Sequence, residues 1–157
     1  MTYEICETTF APRTYLVWRN EIEIANITDQ GMWQSAFGQV HQYAQQNQVQ
    51  VVGPGTALYF RWDAAAGKAE LGIGNPVTGV NEVNAPGLSL VSVEEVPAAH
   101  VVVHGDYAQL HEVHRQLTEY VAQRGLTSSL TVEEYTVMGM EKPDPKDWVT
   151  NVYYLLK

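Results

Sequence analysis

The chain has 157 residues, 45% of them hydrophobic and 10% aromatic, and its nine basic against eighteen acidic side chains leave a net charge of −9. A chain of this length buries roughly 70% of its unfolded surface, enough for one core, and its apolar content excludes a disordered polymer. The charge repels a phosphate backbone, which excludes direct nucleic-acid binding, and no apolar run approaches the ~20 residues of a membrane span. The opening MTYEICETTF lacks a basic segment followed by an apolar one, and the one cysteine, Cys6, has no partner for an internal disulfide. A reducing, cytoplasmic setting is the expectation.

In chain order, the β-branched and aromatic run from Thr14 to Ile24 predicts a strand. Asp29 caps a predicted helix whose apolar positions Trp33, Phe37, Val40 and Ala44 share one face, opposite a glutamine-rich one. After the Gly53-Pro54-Gly55 turn, Thr56–Trp62 and Lys68–Gly74 read as a β-hairpin closed by the loop Ala64–Gly67. Asn75 to Gly87 is dense in turn formers and reads as a connection rather than a core element. Leu88–Val96 and Ala99–Gly105 then read as strands meeting at Pro97. A second helix follows from about Asp106, with Leu110, Val113, Leu117, Tyr120 and Val121 at helical spacing and Gly125 as its stop. Thr131–Gly139 and Trp148–Leu156 close the chain as two strands around the charged loop Glu141–Asp147.

Each half thus gives strand, helix, strand, strand. The expected fold is α+β: two pseudo-symmetric β-α-β-β repeats forming a curved, mostly antiparallel sheet with two helices on one face, and a groove where the repeats meet. One domain over 1–157 is expected, with repeat 1 at about 1–75 and repeat 2 at about 88–157.

Val96 to Leu126, VPAAHVVVHGDYAQLHEVHRQLTEYVAQRGL, runs a Pro-bearing strand into a turn with His104, Gly105 and Tyr107, then into a helix. This stretch resembles the GyrI-like effector-binding domain family. Gly53-Pro54 followed by Tyr59, Glu133-Glu134-Tyr135 and the closing TNVYYLL extend the resemblance over nearly the whole chain. Asn151 departs from it, since an acidic residue usually follows the Thr of that closing strand. The resemblance implies a small-molecule-binding module that, in bacterial multidrug-sensing transcription regulators, is fused to a DNA-binding domain and holds lipophilic cations with aromatic side chains and a buried carboxylate. Only about fifteen residues precede the first family strand, too few for a helix-turn-helix unit, so a stand-alone sensor or sequestering protein is expected here.

Strand parity puts Glu133 and Glu134 on opposite faces, and Glu133 shares its face with Tyr135 and Val137. Glu133 is the candidate anchor, because a carboxylate in an apolar cleft lacks the counter-charge that an organic cation supplies. Tyr59 and Tyr107 stand in the matched motifs and are the leading aromatic contacts, followed by Tyr135, Trp18, Trp62 and Tyr153. His100, His104, His111 and His114 cluster without the ligand spacing of a metal site. His104 fits the turn and the helical pair a solvated face, so neither a metal nor a cofactor is expected. No nucleophile elbow, phosphate loop or dinucleotide fingerprint occurs, and binding is favoured over catalysis. Two alternatives stand beside it. One is a hydrolase of reactive small molecules in which Glu133 acts as general base and Tyr135 or Tyr59 orients the substrate. The other is an acidic interaction protein whose partner is DNA gyrase or a regulator.

Overall fold

The computed structural model describes residues 2–137 and 144–156. The expected strand end at Gly139 and the first three residues, 141–143, of the loop Glu141–Asp147 lie outside the described residues. The chain forms two compact units, one of residues 12–94 and the other of residues 1–11 with 95–157. Each joins one α-helix to an antiparallel sheet, an α+β fold as the sequence pattern implies.

The first unit contains β2 (Arg13–Glu23), α1 (Gln30–Gln46), β3 (Gln50–Val51), β4 (Gly55–Asp63), β5 (Lys68–Thr78) and β6 (Leu88–Val93). Its strands run in the order β4-β5-β2-β6, with β3 also paired to β5. Asp29 caps α1 by accepting from the Gly31 N–H at 3.0 Å, which satisfies one of the orphan donors of the first turn. The helix packs across β2 and β5. Its fully buried face is Ala36, Val40 and Ala44, with Trp33 and Phe37 only half-buried at its margin. Val40 and Ala44 meet Leu16, Val49 and Val77, and Trp18 and Tyr43 pack around them.

Two expectations fail in this unit. Residues 75–78 are not a connection but the end of β5, with Asn75 and Val77 buried. The turn-forming character of Asn75-Pro76 is overridden by tertiary partners: Asn75 Oδ1 accepts from His41 Nε2 (3.0 Å), Asn75 Nδ2 donates to the Gly53 carbonyl (3.3 Å), and the Pro76 carbonyl accepts from Val52 N at 2.9 Å. The second strand break lies at Glu94–Glu95 rather than at Pro97, which sits inside the next strand.

The second unit contains β1 (Cys6–Phe10), β7 (Val96–His104), α2 (Leu110–Gln123), β8 (Ser128–Val137) and β9 (Val149–Leu156), in the strand order β1-β7-β9-β8. Pro97 opposes Thr9 of β1, whereas the β7–β9 register starts one residue later, at Ala98. A residue without an N–H is tolerated at such a strand start. On the helix side of this sheet Val113, Leu117 and Val121 of α2 pack onto Ala99, Val101, Val103, Val152, Tyr154 and Leu156.

β1 has no counterpart in the sequence pattern, because four of its five residues are exposed and only Phe10 is buried. It precedes the first β-α-β-β run yet pairs with β7, the first strand of the second run. Reciprocally, β6 precedes the second run yet pairs with β2, the first strand of the first. Each unit is therefore completed by a strand that the sequence places just ahead of the other repeat. Among the described residues no helix is long and apolar enough to cross a membrane.

Candidate functional site

The acidic pair on β8 is where burial and charge conflict most sharply. Glu133 is 2% exposed and Glu134 8%. Glu133 opposes Val152 of β9, so its side chain lies on the face covered by α2, while Glu134 opposes Asn151 on the other face. Strand alternation thus separates two adjacent carboxylates as parity requires.

Both oxygens of Glu133 have donors. Oε1 accepts the Tyr135 hydroxyl at 2.6 Å. Oε2 lies 2.5 Å from Nε2 of His114, one turn into α2. The other imidazole nitrogen, Nδ1, is 2.8 Å from the Tyr154 hydroxyl of β9. That hydroxyl is also 3.3 Å from the His114 carbonyl oxygen and 3.4 Å from Oγ1 of Thr118, which itself donates to the same carbonyl at 2.7 Å.

An aromatic row leads outward from the carboxylate. Tyr135, 6% exposed, meets Tyr107 edge-on with centroids 5.6 Å apart, and Tyr107 lies against Trp148 at 4.7 Å. Tyr107, 37% exposed, carries the row to the surface. The turn before it explains its position. Gly105 adopts φ +118°, a left-handed value few side chains accept, and its N–H donates to the Trp148 carbonyl at 2.9 Å. The Asp106 carboxylate accepts from Ala108 N at 3.1 Å, starting a short 3-10 turn that presents Tyr107.

Electrostatics register the buried charge. Burial lifts the Tyr107 phenol above its ordinary pKa, and the negative charge of Glu133 lifts it further. Burial also lifts Tyr154; the Thr118 hydrogen bond works against that shift and Glu133 adds to it.

Of the residues singled out in the sequence, the structure brings Glu133, Tyr135 and Tyr107 together. Tyr153 lies on the other face of β9, its ring stacked on His100 at 4.2 Å and met edge-on by Phe10 at 5.0 Å. His100 is in turn 2.8 Å from Asn151 Oδ1, and Asn151 Nδ2 donates to Thr136 Oγ1 at 2.9 Å. Tyr59 and Trp62 form an edge-on pair on β4, 6.1 Å apart, and Trp18 packs at the margin of the core beneath α1. Tyr59, Trp62 and Trp18 belong to the first unit, and Tyr153 lies on the opposite face of β9 from Val152, the residue that opposes Glu133.

The expectation that both helical histidines face solvent holds for His111 and fails for His114, whose ring turns inward to the carboxylate. His114 lies one residue past Val113 and three before Leu117 on the buried stripe, a flanking position from which a long polar side chain reaches under the helix. Tyr154 and Trp148 join the cluster through β9 pairing and the Gly105 turn, long-range relations that no local spacing encodes. Among the described residues no three His, Cys, Asp or Glu side chains gather as metal ligands.

No family model and no curated protein sequence matches the chain. Solved structures do. The C-terminal domain of EcmrR superposes with a TM-score of 0.79 at 14% identity, over 100% of this chain and 99% of that domain. The fold is that of the EcmrR C-terminal domain. Against EcmrR in its complex with DNA the TM-score is 0.81 at 14% identity, and this chain, matched over 99% of its length, spans 57% of EcmrR. SAV2435 bound to tetraphenylphosphonium matches at 0.67 and 16% identity, over 100% of this chain and 94% of that one. A hydrolase from Listeria innocua matches at 0.61 and 11% identity, over 99% and 92%. The resemblance to GyrI-like domains drawn from the motifs thus holds for the fold.

Proposed function

We propose that this effector-binding fold captures lipophilic organic cations, with Glu133 as the anionic anchor and Tyr135, Tyr107 and Trp148 as the aromatic approach to it. The observation that carries this is a carboxylate only 2% exposed at the inner end of an aromatic row that reaches the surface. A buried carboxylate is costly unless paired, and a ring face adds roughly 0.5–2 kcal/mol of attraction for a cation depending on desolvation. The tetraphenylphosphonium complex of SAV2435 supports the ligand class on the same fold.

The test is a pair of ions of one shape and opposite charge. Tetraphenylphosphonium is expected to quench tryptophan fluorescence saturably, and tetraphenylborate is not. Equal binding of both ions would remove the carboxylate from the site.

Hydrolysis is the second reading. It is supported by the Listeria innocua hydrolase among the structural neighbours and by a glutamate already bonded to a tyrosine and a histidine, a set able to activate water. Consumption of an electrophilic small molecule over many equivalents, lost in Glu133→Gln, would establish it; no turnover would retire it.

A further inference from the structure

The Glu133–His114 contact means that the anchor already has an internal partner, and the surroundings of His114 are built for two protonation states. With a neutral imidazole carrying its proton on Nε2, that N–H donates to Glu133 Oε2 at 2.5 Å and Nδ1 accepts the Tyr154 hydroxyl at 2.8 Å. With an imidazolium, Nδ1–H donates to the Tyr154 oxygen instead, and the displaced hydroxyl proton has a second acceptor, the His114 carbonyl oxygen at 3.3 Å. Neither state leaves a ring nitrogen or the tyrosine hydroxyl without a partner.

We propose that cation capture at this site is a proton exchange: a bound organic cation displaces the proton on His114 Nδ1, which leaves to solvent, while the neutral imidazole goes on donating through Nε2 to Glu133. The inference rests on the cation-binding reading above and deepens it. Two positive charges beside one buried carboxylate repel each other, so the ligand and the imidazolium compete for the same counter-charge. The His114 side chain is 28% exposed, which gives the departing proton access to water.

Among the groups facing this imidazole are Glu133 of β8, whose other oxygen holds the Tyr135 hydroxyl, Tyr154 of β9, and Thr118 on α2 itself. Tyr107 lies within the field of Glu133. Glu134 opposes Asn151 on the far face of β8. Arg115, the next residue on α2, is engaged outside with Glu112 and Glu119.

The experiment is calorimetric titration of tetraphenylphosphonium into the full chain at pH values spanning the histidine range, about 5.5 to 7.5, in two buffers of different ionisation enthalpy. In wild type, affinity should rise with pH, approaching tenfold per unit at the acid end, and the measured heat should differ between buffers, reporting up to about one proton released. In His114→Gln both dependences should vanish while binding persists. A slope retained in His114→Gln would place the proton on Glu133 instead and overturn the assignment. Binding that depends on Glu133 but not on pH or buffer would overturn the exchange and leave the cation reading standing. No binding at any pH would overturn both.

Should His114→Gln fail to fold, Tyr154→Phe keeps the ring and removes the acceptor of Nδ1–H. It should move the midpoint of the wild-type pH profile to lower pH, and an unmoved midpoint would count against the exchange.

Discussion

Nε2 of His114, on α2, lies 2.5 Å from Oε2 of Glu133, on β8, so the helix and sheet of one unit are tied through a carboxylate buried beneath both. Removing one partner of a buried pair costs more than the pair itself contributes, because it strands the other. Glu133→Ala is expected to lower unfolding stability by about 2–4 kcal/mol, at the low side for a fully buried pair because the imidazole keeps some solvent. Glu133→Gln, which keeps volume and an acceptor, should cost less than half of that in urea denaturation. Equal losses would mean that the charge, not the volume, holds the site.

Tyr135→Phe tests the other carboxylate oxygen. It deletes the 2.6 Å hydrogen bond to Oε1 and retains the ring that meets Tyr107. A hydrogen bond to a charged group contributes about 1.5–3 kcal/mol, and a loss of that order in chemical denaturation is expected. A neutral result would show that Oε1 is satisfied without the hydroxyl.

Gly105→Ala tests the turn that places Tyr107. A Cβ there would lie 2.4 Å from Gln109 Nε2, in a backbone at φ +118°. Gln109 is not free to yield, since it donates to the His104 carbonyl at 2.8 Å and accepts the Tyr3 hydroxyl at 2.9 Å. A destabilisation of about 1–3 kcal/mol should accompany weaker cation binding, because Tyr107 moves with the turn. Unchanged stability and binding would show that the turn adapts without shifting the tyrosine.

How much of this was legible in the sequence depends on the range of the cause. Both helices follow from local spacing and from the cap at Asp29, and the hairpin of β4 and β5 from its flanking turns. β5 beyond Gly74 was hidden, because Asn75 and Pro76 read as turn formers until His41 and Gly53 are brought to them. β1 was hidden because an exposed edge strand lacks alternation. In the site, the parity of Glu133 and Tyr135 is a local property and could be read. The inward turn of His114 could not, because a flanking helical position faces solvent or core according to what the sheet offers it.

Titration separates the phenols of the aromatic cluster from the surface carboxylates. Tyr107 and Tyr154 both have raised pKa values, chiefly through burial. Their contribution is complete below the ordinary phenol value of about 10, where folded and unfolded chains are both protonated. It is lost as pH rises through the raised values, since the unfolded chain ionises first. Stability should therefore fall above that pH, with phenolate absorbance lagging behind that of the unfolded chain; a co-incident titration would contradict the burial. Glu112 moves the other way, held down to about 2 mainly by its hydrogen bond from Arg115. Its contribution is present above the ordinary carboxylate range and is lost as pH falls toward 2, which carboxyl NMR on wild type and Arg115→Ala would read directly.

The measurement that tests the central claim most directly is the affinity of tetraphenylphosphonium for wild type and Glu133→Gln, compared at neutral pH by tryptophan fluorescence with folding verified by circular dichroism. Saturable binding that weakens by at least about tenfold, roughly 1.4 kcal/mol, in the folded variant is the expected result. Equal affinity in the two proteins would contradict Glu133 as the anchor.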